Sequence, residues 1–146
     1  MAKDSQVQHY NKPIEDQFGF SAIVHAGGTL HLSGIISIDE KSEVFAPGDM
    51  AAQIDRIYDI MEETLAKCGA NLEHVVSEVL YTTDMAQLME AIPVRTKRYD
   101  GYAKPATTAV QVVALAFPGA MLEVQATALV ERDEWSSDLP PLGSPI

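Results

Sequence analysis

The run Met121-Leu-Glu-Val-Gln-Ala-Thr-Ala-Leu-Val130 decides the fold, because it alternates with period two over its whole length. Leu122, Val124, Ala126, Ala128 and Val130 fall on one face of a strand, and Glu123, Gln125, Thr127 and Leu129 on the other. The first face suits a helical layer. The second, which carries Glu123, is half polar, yet too rich in small and apolar residues to be simply solvated. Just upstream, Pro105-Ala-Thr-Thr-Ala-Val-Gln-Val-Val113 alternates as well, with Thr108, Val110 and Val112 opposed to Thr107, Ala109 and Gln111. Pro118-Gly119 lies between the two runs and can turn the chain, so an antiparallel strand pair is expected.

Working back toward the N-terminus, Met50, Ile54, Ile57, Met61, Leu65 and Cys68 recur at steps of three and four, one apolar stripe on a helix. Asp49 is its expected cap and Gly69 its stop. Val75 to Thr82 is rich in β-favouring residues and reads as a strand. Asp84 can cap a second helical segment. Pro93 lacks an amide hydrogen and clashes with the preceding turn, so that segment is expected to split into a turn over Met85–Ala91 and a helix from Pro93 to about Tyr99. Gly27-Gly28 reads as a hairpin turn between strands over 20–26 and 29–35, the second ending at Ser33-Gly34. That turn sets His25 opposite Leu30 and Val24 opposite His31, so the two imidazoles face opposite ways and no metal site is expected. Residues 1–19, polar and aperiodic with Pro13, read as a tail or edge segment, and residues 131–146 as a tail that runs over the surface, onto a neighbouring subunit through Trp135. The domain proper is 20–130. Two helices on one face of a mixed sheet make an α+β two-layer architecture.

Composition narrows the partners. A chain of 146 residues is one domain by length. Ten Lys and Arg against 21 Asp and Glu, a net charge of −11, argue against nucleic acid, which is held by clustered cations. The one local cluster, Arg95, Lys97, Arg98 and Lys104, reads as a solvated helix face. No apolar run reaches the roughly 18 residues of a membrane span, and no secretory leader opens the sequence, so a cytoplasmic protein without a membrane partner is expected. The single cysteine, Cys68, reads as a small core residue. Nothing implies a cofactor.

Several short pieces in order then carry a resemblance: Leu32-Ser-Gly34, Gln53, Cys68-Gly-Ala-Asn-Leu-Glu-His-Val-Val76, Thr83-Asp84-Met85, Pro105-Ala106, Ala109-Val-Gln-Val112 and Leu122-Glu-Val124. The set resembles the YjgF family, the reactive intermediate deaminases, from about Phe20 to Val130. The resemblance implies a chorismate-mutase-like fold and a homotrimer whose bare sheet faces close into a central barrel. Ligand pockets are implied between subunits, acting on a small-molecule enamine or imine. It places a water-positioning glutamate at Glu123 and a carboxylate-clamping arginine at position 107, where this chain has Thr107. The family's pocket tyrosine falls on Phe20 and an asparagine on Ile92, while Ser33 is retained.

These departures imply a pocket that keeps its acid and grows more apolar around it. Glu123, facing Phe20 and Ile92 with no arginine beside it, is expected to have its pKa raised by desolvation, as suits a general acid–base. Thr107, Thr108 and their backbone amides can orient a carbonyl weakly, and Arg95, three residues after Ile92, is the first candidate to replace the lost cation. The leading reading is a divergent deaminase or hydrolase of an enamine, imine or conjugated unsaturated acid such as 2-aminomuconate. The alternative is a metabolite-binding or regulatory trimer without turnover. A third reading, a ribonuclease, is opposed by the charge.

Overall fold

The long helix that the apolar stripe demands is α2 (Met50–Ala66). The Asp49 carboxylate accepts the Ala52 amide at 3.0 Å and satisfies one of the free donors of its first turn. Ile54, Ile57, Met61 and Leu65 have no solvent exposure. At the other end Gly69 takes a positive φ of 71° and the Ala70 amide returns to the Leu65 carbonyl at 3.0 Å. This computed structural model describes residues 5–130; the expectation for Trp135 and 131–146 lies outside them.

Six strands form one sheet: β1 (Ser5–Gln8), β2 (Ile23–Ala26), β3 (Thr29–Ile36), β4 (Val75–Thr82), β5 (Ala106–Gln111) and β6 (Leu122–Leu129). Their order is β1-β2-β3-β6-β4-β5. Every neighbouring pair is antiparallel except β4 and β5, which are parallel. The sheet is therefore mixed and the domain α+β, with α2 and α3 (Met85–Arg98) packed on one another over the buried face. The Gly27-Gly28 turn gives the expected register, His25 opposite Leu30 and Val24 opposite His31.

The expected pairing of β5 with β6 does not form. β6 lies in the centre, between β3 and β4, because Leu122, Val124, Ala126 and Ala128 are all buried and make it a strand for the middle of a sheet. β5 carries Thr107, Ala109 and Gln111 toward the helices and goes to the edge. Its parallel pairing with β4 needs a crossover, and α3 is that crossover.

Two further expectations give way to proline position. Pro93 does not split the second helix: α3 runs unbroken from Met85 to Arg98. Pro93 is exposed and Leu88 buried, so the ring's missing donor costs a bond on the solvent side while the packed side is untouched. Pro13 does not prevent a helix either. It stands in the first turn of a third helix, α1 (Lys12–Phe18), where its amide is not needed, and Asn11 caps that turn through Ile14 N at 3.2 Å. Of the two readings of this stretch, the edge segment holds and the tail does not: residues 5–18 are part of the domain, with β1 the edge strand paired to β2. Ser33-Gly34 does not end β3, which continues to Ile36 through an irregularity between Leu32 and Ile35.

Candidate functional site

The irregularity in β3 places Gly34 against the side chain of Glu123. A Cβ on Gly34 would stand 2.0 Å from Glu123 Oε1 and 2.7 Å from its Cδ, so only glycine leaves the carboxylate room to lie over this strand. Glu123 is opposite Ile36 on β3 and Tyr81 on β4. No hydrogen bond from another described residue reaches its carboxylate, and burial alone pushes its pKa above the ordinary glutamate value.

A pocket of about 240 Å³ opens at this carboxylate. Phe18, Phe20, Ile35, Ile36 and Phe117 give it apolar walls, and among the described residues no lysine or arginine lines it. Phe18 and Phe117 meet across it, ring centroids 5.7 Å apart. Ser33 also lines it, but its hydroxyl donates to the Ser21 carbonyl at 2.6 Å and fixes the bend of the strand. A second carboxylate, Glu15, is already satisfied: it accepts the amides of Tyr10, Asn11 and Ala22 at 3.0, 2.7 and 2.6 Å, and His9 Nδ1 lies 2.8 Å away. Burial works against the charge of Glu15, but His9 and the three backbone donors hold its pKa below the usual value. Its role is to tie α1 to β2 as one wall of the pocket.

The other expected site residues gather elsewhere. Glu78, opposite Thr107 on β5, faces the helices, and its side chain has no solvent exposure. It accepts Tyr58 Oη at 3.0 Å, Tyr99 Oη at 2.5 Å and Arg95 Nη2 at 2.6 Å. Burial first, and then the charge of Glu78, push both phenols up. Arg95 Nη2 also donates to Thr107 Oγ1 at 2.8 Å, and Thr107 donates onward to the Pro105 carbonyl at 3.0 Å. Arg95 does stand beside Thr107, but its charge is balanced by Glu78.

The expected grouping therefore divides in two. Glu123, Phe20 and Ser33 meet in the pocket. Thr107 and Arg95 meet on the helical side of the β5 edge, on the opposite face of the sheet from Glu123. Thr108 is on the open face with Val79, Val110 and Gln125, and Ile92 does not face Glu123; it packs against the core from α3. Nor is the basic cluster a solvated face throughout, since Arg98 pairs with Asp55, Asp59 and Glu62 of α2. Sequence reasoning missed Gly34, Phe18 and Phe117 as parts of the site. Gly34 stood in a quoted motif but was read only as a strand end.

With this geometry in view, likeness to known proteins becomes informative. The family model described as Endoribonuclease L-PSP matches residues 11–130. The chain belongs to the Endoribonuclease L-PSP family. A relative named Protein DfrA, from Myxococcus xanthus, is 33% identical over 106 residues, which is 73% of this chain and 79% of that protein. The 3-aminoacrylate deaminase RutC of Acinetobacter baylyi is 30% identical over 105 residues, 72% of this chain and 82% of that protein. Among solved structures, a Mycobacterium tuberculosis protein described as a member of the YjgF/YER057c/UK114 family superposes with a TM-score of 0.74 at 28% identity, covering 86% of this chain and 99% of that one. The Endoribonuclease L-PSP match begins at residue 11, so it takes in α1, which the sequence reading had left outside the domain.

Proposed function

We propose that this chain hydrolyses an imine or enamine, with Glu123 as its acid–base group, in a cleft completed where protomers of a homotrimer meet. The observation that carries the reading is the Glu123 carboxylate: half-buried, raised in pKa by that burial alone, and lying over a strand that a glycine keeps clear. The relative named for 3-aminoacrylate deamination supports the reaction class. In the reaction, water oxygen bonds to the imine carbon while a water proton passes to the Glu123 carboxylate. The carboxyl returns that proton to nitrogen to give the carbinolamine; the carboxylate then takes the hydroxyl proton and delivers it to nitrogen as the C–N bond breaks, so ammonia leaves a carbonyl behind. An enamine first takes a proton on carbon to become the imine. Water supplies the oxygen, and the balance needs no oxidant or cofactor.

The division of the expected residues into two groups supports the trimer. The β5 edge of one protomer, with Thr107 and Thr108, would border the Glu123 pocket of the next. Ammonia release from imines generated in the assay by an amine or amino acid oxidase, compared between wild type and Glu123→Ala, tests the chemistry; equal rates remove it. Thr107 in the arginine's place favours a second reading, a metabolite-binding trimer without turnover. A ligand that raises the Tm without yielding product would point that way, and steady turnover would end it. A ribonuclease reading gains nothing from Arg95 and Arg98, whose charges are spent on carboxylates of this chain.

A further inference from the structure

The pocket beside Glu123 is built for a particular kind of ligand. Its walls are aromatic and aliphatic, and of the two carboxylates on it only Glu123 remains open to a partner among the described residues. A ligand carboxylate placed here would meet a negative group in apolar surroundings, where like charges repel strongly and neither is well solvated. The Arg95 guanidinium beside Thr107 is already paired with the fully buried Glu78, and the Thr107 proton is committed to the Pro105 carbonyl. One protomer's share of the cleft measures about 240 Å³, and a dry cavity of about 150 Å³ suffices for benzene, so a phenyl-sized body fits within it.

We infer that the pocket takes a carboxylate-free molecule with an apolar body of about phenyl size and an N–H donor directed at Glu123. Joined to the proposed chemistry, on which this extension rests, the substrate class becomes an imine or enamine of an aralkyl or branched alkyl group. Amino-acid-derived 2-iminoacids and conjugated diacids such as 2-aminomuconate fall outside it. The reaction that supplies such a substrate is the oxidation of an apolar primary amine, and the products are an aldehyde or ketone and ammonia.

A matched pair of stable probes tests the binding. Phenylacetamide and phenylacetate share a body and differ in the group that meets Glu123; acetamide lacks the body. Titration calorimetry on the wild-type protein is expected to give phenylacetamide a Kd at least tenfold below that of either of the others. Equal or tighter binding of phenylacetate overturns the inference, as does the absence of binding by phenylacetamide. The turnover arm compares the imine released by a flavin amine oxidase from 2-phenylethylamine with that released by an amino acid oxidase from phenylalanine. Faster ammonia release from the first is expected. Preferential binding of phenylacetamide with no acceleration of either imine would sustain the ligand class and remove the deaminase reading. Faster hydrolysis of the phenylalanine-derived imine would do the reverse.

Discussion

At the scale of single residues, the proposed function rests on a contact between a glycine and a glutamate. The atoms a Gly34 side chain would strike are the outer ones of Glu123, a flexible side chain that can swing away. Gly34→Ala is therefore expected to fold with stability within about 1 kcal/mol of wild type, while activity falls on the order of 100-fold because the carboxylate is displaced from its working position. Denaturant unfolding and an ammonia-release assay on the same preparation separate the two effects. Glu123 also gives a pH signature. Its pKa is raised in the folded chain by desolvation, so between the unfolded and folded values the native state holds a proton that the unfolded state lacks. Stability from this group is full below the unfolded pKa and is lost as pH rises through the folded one. Glu123→Gln removes the loss: its Tm should exceed that of wild type at pH 7, with the gap narrowing toward pH 4. Wild-type hydrolysis should rise with pH through the same raised pKa, since the first step needs the ionised base.

Among the elements, α3 shows how packing overrides a local rule. Pro93→Ala restores one helical hydrogen bond at an exposed position and should stabilise the protein by roughly 1 to 3 kcal/mol, read from the denaturation midpoint. Arg95, two residues on and on the opposite side of the helix, does the opposite work. Arg95→Ala would strand the Glu78 carboxylate among two phenols with no cation, at a cost of about 3 to 5 kcal/mol, and Glu78→Gln in the same chain should recover part of that loss. The sequence foreshadowed α2 from its stripe and caps, and the β2–β3 hairpin from its glycine pair, because both are settled by contacts within one stretch. It could not foreshadow the place of β5 or the run through Pro93, which depend on what packs alongside. The candidate site divides the same way. Glu123 and Phe20 were legible through alternation and resemblance. Gly34 was not, because its meaning lies in a side chain 89 positions away on another strand.

For the molecule as a whole, the decisive feature is the sheet face turned away from the helices. On it Val79, Tyr81, Thr108, Val110, Glu123 and Gln125 occupy adjoining rows, as the pairings of β4 with β5 and β6 require. Val110 is 39% exposed and Val79 and Tyr81 are only partly covered, so a row of apolar side chains crosses a face that water would otherwise wet. In the proposed trimer, burying that face against copies of the chain would remove it from water and would carry the Thr108 edge of one protomer to the Glu123 strand of another. The proposed trimer then has a direct consequence. Light scattering should return three times the 15.9 kDa chain mass for wild type. Val110→Asp sets an unpaired charge in the middle of the contact without touching the helical core, so it should yield a folded protomer with unchanged far-ultraviolet circular dichroism, a mass of one chain, and activity reduced at least tenfold. If Val110→Asp stays monomeric yet keeps its full rate, the Glu123 pocket works within a single chain and the cleft between protomers is not where the reaction occurs. If wild type itself has the mass of one chain, the open face is solvated after all, and the separation of Thr107 from Glu123 across the sheet is the arrangement in which the protein acts.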